Sequence, residues 1–309
     1  MNVLSLFDGA SCAMVCLKRA GIPIDTYYGA DIKKCAIRCE ELIAKYYGVN
    51  HVQLGDVTKI DYSQLPKIDL LCAGFPCQDY SVVNSRKQGI KGKNGQLFWE
   101  VVRAIKAVKP KYIILENVAT IPDETLKLIQ RETGCFENRI VDPVALGWAT
   151  RRKRLFFTNF LSFTDMPVPR KERETLAELL DDDAKIIKRN TDGVVIGVVN
   201  RSRDKLVYST TEIATLVQNQ PTRAGEGAFI LTNDPSKTPY KRVKTESMYK
   251  AGYDAFRCPT QAELARFHTY PVEIMEQFSA AHAQSLMGDG WHCGSIQWLF
   301  DKLKEISGE

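Results

Sequence analysis

Cys77 closes the stretch Ala73-Gly74-Phe75-Pro76-Cys77, directly after the apolar run Ile68-Asp69-Leu70-Leu71-Cys72 and before a polar, basic loop that runs to Gly95. A cysteine at the end of a buried strand is placed for nucleophilic chemistry, but it reacts as the thiolate, and a free thiol with a pKa of about 8.5 is mostly protonated near neutrality. Nearby cations correct that, and Arg151-Arg152-Lys153-Arg154 supplies them ahead of the apolar run Leu155-Phe156-Phe157. Arg152 and Arg154, folded over the same edge, could also hold an anionic or carbonyl-bearing substrate. Glu116, after the apolar run Tyr112-Ile113-Ile114-Leu115, offers the complementary part. A partly buried carboxyl can give a proton or a hydrogen bond to a ring nitrogen or amino group. Attack on an electron-poor ring with protonation of that ring is the chemistry this pair suits. Each residue also has an ordinary reading, since most strand-end cysteines are structural and most strand-end glutamates are simply solvated.

The elements that must position these residues alternate strand and helix. Asn2 to Phe7 reads as a short apolar strand, Asp8-Gly9-Ala10-Ser11 as a turn, and Cys12 to Ala20 as a helix stopped by Gly21. A second strand, Thr26 to Ala30, ends at Asp31, about 20 residues beyond the turn, where a carboxylate can bond ribose hydroxyls. A nucleoside without a diphosphate suits the turn better than a dinucleotide, because Ser11 and Cys12 stand where a pyrophosphate fingerprint needs glycine. Asp56 follows a third strand, Cys77 a fourth and Glu116 a fifth, so one sheet edge is expected to gather Phe7, Asp31, Asp56, Cys77 and Glu116. A helix from Gln96 to Ala107, another near Asp123 to Glu132, and a hairpin of Phe136 to Val141 with Gly147 to Asn159 complete this α/β part.

From about Val168 to Phe256 prolines, short β-like runs and basic loops replace the alternation, which reads as a small β-containing domain. The segment from Pro235 to Lys250 is basic, with Lys241, Arg242 and Lys244, and an acidic helix is expected over Glu172 to Ala184. Helices then return. The expected division is 1–167, 168–256 and 257–309, in one soluble protein large enough to bury a full core.

With 44% hydrophobic residues and no apolar run long enough to span a bilayer, no transmembrane helix is expected. The first residues lack the basic region of a secretion signal, and nine cysteines without zinc-type spacing read as reduced thiols, so a cytoplasmic setting and no metal are expected. A net charge of +5 is mild, so any nucleic-acid surface must be local.

Taken in order, Phe75-Pro76-Cys77-Gln78, Glu116-Asn117-Val118, Arg152-Lys153-Arg154 and Gly288-Asp289-Gly290-Trp291 resemble the DNA (cytosine-5) methyltransferase family, over most of the chain outside roughly 168–256. The resemblance implies a doubly wound, Rossmann-like S-adenosylmethionine-dependent methyltransferase sheet with a small β-containing target-recognition domain. Cys77 would attack C6 of a cytosine flipped from duplex DNA, Glu116 would contact N3 and the amino group, and Arg152 and Arg154 would hold the base. Phe7, Gly9, Ala10, Asp31, Ile32, Asp56, Val57, Pro76, Leu97, Asp289, Gly290 and Trp291 would surround S-adenosylmethionine, with S-adenosylhomocysteine as product. Gln78, Ser81, Arg86, Lys87, Lys91 and Lys93 on the catalytic loop, and Lys241, Arg242 and Lys244 in the variable region, would meet DNA. A bacterial or phage setting, a monomer, and in some settings a cognate restriction endonuclease follow from the same resemblance. The chain departs from the family pattern at Ser11 and Cys12, at Thr150, at Gln261, and at Asp289, where asparagine is usual and an added negative charge would weaken cofactor binding. Three rivals stand beside this reading: an RNA or tRNA cytosine-5 methyltransferase on the same scaffold, a DNA-binding protein with a decayed active site, and an NAD-dependent enzyme with a reactive cysteine.

Overall fold

The structure is a computed structural model that describes residues 1–76, 95–163, 170–172, 174, 178–182, 186–188, 194–196, 198–202, 205–209, 226–231, 256–257 and 259–309. The chain divides into two compact units. The first comprises Met1–Asp142, Lys153–Pro169 and Ser295–Glu309, and the second Pro143–Arg152 and Arg170–Gly294.

The first unit is built on β1 (Asn2–Leu6), β2 (Thr26–Ala30), β3 (His51–Gln53), β4 (Leu70–Gly74), β5 (Tyr112–Val118), β6 (Glu137–Val141) and β7 (Arg154–Thr158). They form one mixed sheet in the order β3-β2-β1-β4-β5-β7-β6. The first five strands are parallel, and β7 alone runs against its neighbours on both sides. Helices α1 (Cys12–Ala20), α2 (Lys34–Tyr47), α3 (Phe98–Val108) and α4 (Asp123–Thr133) connect the strands. The doubly wound α/β architecture expected from the sequence is therefore present. Central parallel strands are covered on both faces, which explains why β1, β4 and β5 read as nearly continuous apolar runs. Leu4, Leu6, Leu71, Ile113, Leu115 and Phe157 are essentially fully buried in one core with Phe98 and Val101 of α3. Burying each large side chain contributes roughly 1.5–3 kcal/mol. Packing of this kind holds α1 in place, because a nine-residue helix is too short to persist in water by itself. Gly21 ends α1 in the left-handed conformation, φ 71°, as its place in the sequence suggests.

Strand order reverses beside β1, which neighbours β2 on one side and β4 on the other. Open parallel sheets bind ligands at the carboxyl ends of strands where this reversal occurs. The segments after β1 and β4 are the ones that carry Phe7 to Ser11 and Phe75-Pro76.

In the second unit β8 (Ile186–Lys188) pairs with β9 (Val194–Ile196). A four-stranded antiparallel sheet has the order β11-β10-β12-β13, from β10 (Val198–Ser202), β11 (Lys205–Ser209), β12 (Glu226–Leu231) and β13 (Phe256–Arg257). Helices α5 (Gln261–Arg266), α6 (Val272–Met275) and α7 (Ala280–Asp289) belong to this unit, and α8 (Cys293–Ser307) begins in it.

Three local differences from the sequence reading stand out. The second arm of the hairpin starts at Arg154, not Gly147, because the chain turns through Val144–Leu146 and Gly147 sits at φ 99°. The described residues between 172 and 184 carry no α-helix, and Glu174 there accepts from the Ala149 N–H at 3.0 Å and Lys171 Nζ at 3.0 Å. Helix α7 was not anticipated, although Ser279 caps it through a bond from His282 N at 3.3 Å and an alanine-rich run follows.

Candidate functional site

Every backbone group at the edge has to be accounted for, and the loop after β1 does this in an unusual conformation. Phe7, Gly9 and Ser11 all lie in the left-handed region, at φ 56°, 58° and 50°. For phenylalanine and serine this costs free energy that the surroundings must offset. Gly9 N–H donates to Asp31 Oδ2 at 3.0 Å, and Lys33 N–H donates to Asp31 Oδ1 at 2.9 Å. The Asp31 carboxylate is thereby fixed at the end of β2. Ile32 beside it is 72% exposed, a large apolar side chain with nothing over it. Phe7 and Leu97 pack, half-buried, against the margin of the core, and Val57 lies within it. Asp56 accepts from Thr58 N and Oγ1 through Oδ1, and these bonds hold its carboxyl below the usual carboxylate range. Ala10 is buried, and Pro76 is half-buried at the end of β4.

The donor set suits an adenosine without a diphosphate. It has a held carboxylate for ribose hydroxyls, apolar side chains for a purine and a backbone turn without phosphate-cradling glycines. S-adenosylmethionine has that composition, so the residues present fit it.

Glu116 and Arg154 meet for a topological reason. Because β7 is reversed, its first residue falls at the carboxyl end of β5, with Arg154 opposite Val118 and Phe156 opposite Glu116. Arg154 Nε lies 3.0 Å from Glu116 Oε1, with side chains only 17% and 10% exposed. Arg154 also donates to the Lys153 carbonyl at 2.8 Å. Asn117, whose part the sequence left unread, donates from Nδ2 to the Phe75 carbonyl at 3.2 Å and accepts from Val118 N–H at 2.8 Å. It is 1% exposed, and it ties the end of β5 to the residue two before Cys77. Phe75 is wedged against Phe98, ring centroids 5.4 Å apart.

Behind the edge, Glu40 of α2 is buried and accepts from Gln53 Nε2 at 2.5 Å. A Cβ at Gly29 would lie within 2.3–2.4 Å of its carboxyl, which is why glycine interrupts β2. Burial, reinforced by the negative charges of Asp8, Asp31 and Glu41, raises Glu40 from 4.5 to about 9, while a bond from Gly29 acts the other way. A carboxyl raised on folding stabilises most below its unfolded pKa and loses that contribution as pH rises through the folded value. Wild-type stability should therefore fall between about pH 5 and pH 9, by up to about 1.4 kcal/mol per pH unit from this group. Glu40→Gln is expected to flatten that slope in urea unfolding measured at several pH values. Parallel slopes for the two proteins would contradict it.

The remaining candidates fall in the second unit or outside the described residues. Arg152 and the Asp289-Gly290-Trp291 turn belong to the second unit. There Arg152, 2% exposed, donates to the Gly288 carbonyl at 2.9 Å. Asp289 is exposed as the last residue of α7, and Gly290 N–H donates to the Leu286 carbonyl at 2.7 Å. Cys77, Gln78, Ser81, Arg86, Lys87, Lys91, Lys93, Lys241, Arg242 and Lys244 lie outside the described residues. Among the described residues no group of three or more His, Cys, Asp or Glu could hold a metal ion, and no helix is long and apolar enough to cross a membrane.

The pattern of the family described as C-5 cytosine-specific DNA methylase matches residues 1–305. The type II methyltransferase M.NgoBV of Neisseria gonorrhoeae is 29% identical over 215 residues, 61% of this chain and 49% of that protein. The orphan methyltransferase M.SPRI of Bacillus phage SPR is 35% identical over 118 residues, 38% of this chain and 26% of that protein. The chain thus spans half or less of the length of these relatives. The solved structure of the Entamoeba histolytica methyltransferase EhMeth shares the fold with a TM-score of 0.72 at 16% identity, covering 100% of this chain and 99% of that one. S. pombe Dnmt2 methyltransferase gives 0.65 at 17%, covering 99% and 98%. With its reversed β7, its adenosine-suited edge and a pattern match along nearly its whole length, the chain belongs to the C-5 cytosine-specific DNA methylase family.

Proposed function

We propose that the chain transfers a methyl group to C5 of a cytosine in duplex DNA. The observation that carries this reading is the buried Glu116–Arg154 pair, 3.0 Å apart at the end of β5, beside the strand that leads into Cys77. When bound, S-adenosylmethionine supplies an electrophilic methyl on a cationic sulfur. Phe7, Gly9, Ala10, Asp31, Ile32, Asp56, Val57, Pro76 and Leu97 would hold it.

Cys77, as thiolate, adds to C6 of the flipped base and opens the C5–C6 double bond, which makes C5 nucleophilic. Glu116 supplies the proton or hydrogen bond at N3 that accepts the displaced electron density. Arg154 fixes the Glu116 carboxyl. Once C5 carries the methyl, loss of the C5 proton to a base restores the double bond and expels Cys77. Asn117 steadies the Phe75 carbonyl just past the end of β4. Arg86, Lys87, Lys91 and Lys93 would clamp phosphates, Gln78 and Ser81 would also meet DNA, and residues 168–256, with Lys241, Arg242 and Lys244, would read the target. A bacterial or phage cytoplasm, with or without a cognate restriction endonuclease, fits the sources of M.NgoBV and M.SPRI, and a monomer is the state the family resemblance implies.

Incubation with tritiated S-adenosylmethionine should label duplex DNA and leave tRNA unlabelled. Bisulfite sequencing of DNA from expressing cells should then show one methylated site. Label in tRNA alone would move the substrate to RNA, and label in neither would remove the activity.

A further inference from the structure

The left-handed loop after β1 contains one glycine where its backbone twice requires φ near 50° at residues with side chains. Asp8 lies between them. It keeps some exposure as a residue, but its carboxyl is turned onto three hydroxyl groups. Oδ1 accepts from Ser5 Oγ at 2.5 Å and from Tyr27 OH at 2.6 Å, and Oδ2 accepts from Ser11 Oγ at 2.5 Å. Its main chain is held as well, with Asp8 N–H donating to the Ala30 carbonyl at 3.1 Å and Ser11 N–H donating to the Asp8 carbonyl at 2.9 Å. Ser11 stands at the N-cap of α1 yet makes no cap bond with its side chain, because its hydroxyl is committed to Asp8.

We propose that Asp8 is a positioning residue for cofactor binding, a side-chain strut that keeps Ser11 and Phe7 in the left-handed conformations that glycines would otherwise supply. Three chain segments converge on one carboxyl: the end of β1 through Ser5, the start of β2 through Tyr27, and the entrance to α1 through Ser11. The loop held between them is the one whose Gly9 N–H fixes Asp31. Asp8 acts on the ligand through that backbone and through Asp31. This also accounts for the departure at Ser11, where the turn tolerates a side chain only because Asp8 receives its hydroxyl. Burial raises the Asp8 carboxyl above its usual range against the lowering effect of the three donors, so the site accepts an electrostatic cost for this geometry.

The inference rests on the assignment of this edge to S-adenosylmethionine, and the test separates the two. S-adenosylhomocysteine binding is measured by calorimetry, with thermal unfolding of each ligand-free protein alongside. Asp8→Ala should bind about tenfold to a hundredfold more weakly. Asp8→Ala combined with Ser11→Gly should recover most of that loss, since glycine holds φ 50° without a strut. Should Asp8→Ala fail to fold, Ser11→Ala and Ser11→Gly carry the test: alanine keeps the strain without the bond and should weaken binding, while glycine should not. Steady-state rates should show the Asp8→Ala effect in KM for S-adenosylmethionine, with kcat within about twofold. Wild-type affinity in Asp8→Ala, or equal loss in Ser11→Ala and Ser11→Gly, overturns the positioning role. Failure of wild type itself to bind S-adenosylhomocysteine overturns the cofactor assignment and the inference with it.

Discussion

Cys77→Ser is expected to lower methyl transfer by roughly 10⁴-fold or more and to abolish the covalent complex with duplex DNA carrying 5-fluorocytosine. Serine is nearly the same size, so the loss comes from reactivity. A hydroxyl is far less acidic than a thiol and here has no assigned base to activate it, whereas a thiol near pKa 8.5 needs only modest help from neighbouring cations. Fluorine at C5 cannot leave as a proton does, so a nucleophile attached at C6 is trapped with the methylated base. Denaturing gels would show the trapped species for wild type and none for the variant, while calorimetry should find unchanged S-adenosylhomocysteine binding. Methylation near the wild-type rate in Cys77→Ser would sink the nucleophilic assignment without touching the cofactor site.

Glu116→Gln is expected to lower kcat by about 10²–10⁴-fold, because an amide cannot carry the proton that N3 requires. The same substitution leaves Arg154 without its partner in a pocket where both side chains are mostly buried. Breaking such a pair from one side costs about 3 kcal/mol, most of it the price of an uncompensated buried charge. Arg154→Met should cost a similar amount from the other side. The double variant Glu116→Gln/Arg154→Met should be more stable than the sum of the two losses predicts, yet no more active than Glu116→Gln. Urea unfolding and single-turnover rates, measured on all four proteins, separate the two quantities. If Glu116→Gln kept full activity, the carboxyl would be structural only.

Much of the sheet was legible in the residues. Asn2 to Leu6, Leu70 to Gly74 and Tyr112 to Leu115 are largely apolar runs because a strand covered on both faces has no solvent side to mark. Gly21 and Gly48 mark the ends of their helices because each takes a left-handed φ there. Helix α7 was missed because a serine cap before alanines is a weak signal compared with a hydrophobic stripe. The hairpin arm was drawn too long because Gly147 to Lys153 runs without a break into the apolar run Leu155-Phe156-Phe157, and only the turn geometry shows that the strand begins at Arg154.

The edge divides along the same line. The sequence by itself determined which residue types end each strand, the family they resemble, and the order in which Phe7, Asp31, Asp56, Cys77 and Glu116 arrive. Those are local facts, set by patterns over a few residues. Only the tertiary structure decided that Arg154 pairs with Glu116 while Arg152, two residues earlier, turns to the Gly288 carbonyl. It likewise decided that Asn117 holds the Phe75 carbonyl and that Asp8 gathers three hydroxyls. The physical reason is that hydrogen bonds between distant residues depend on strand direction and register. One reversed strand moves a side chain from one end of the sheet to the other without changing its sequence pattern.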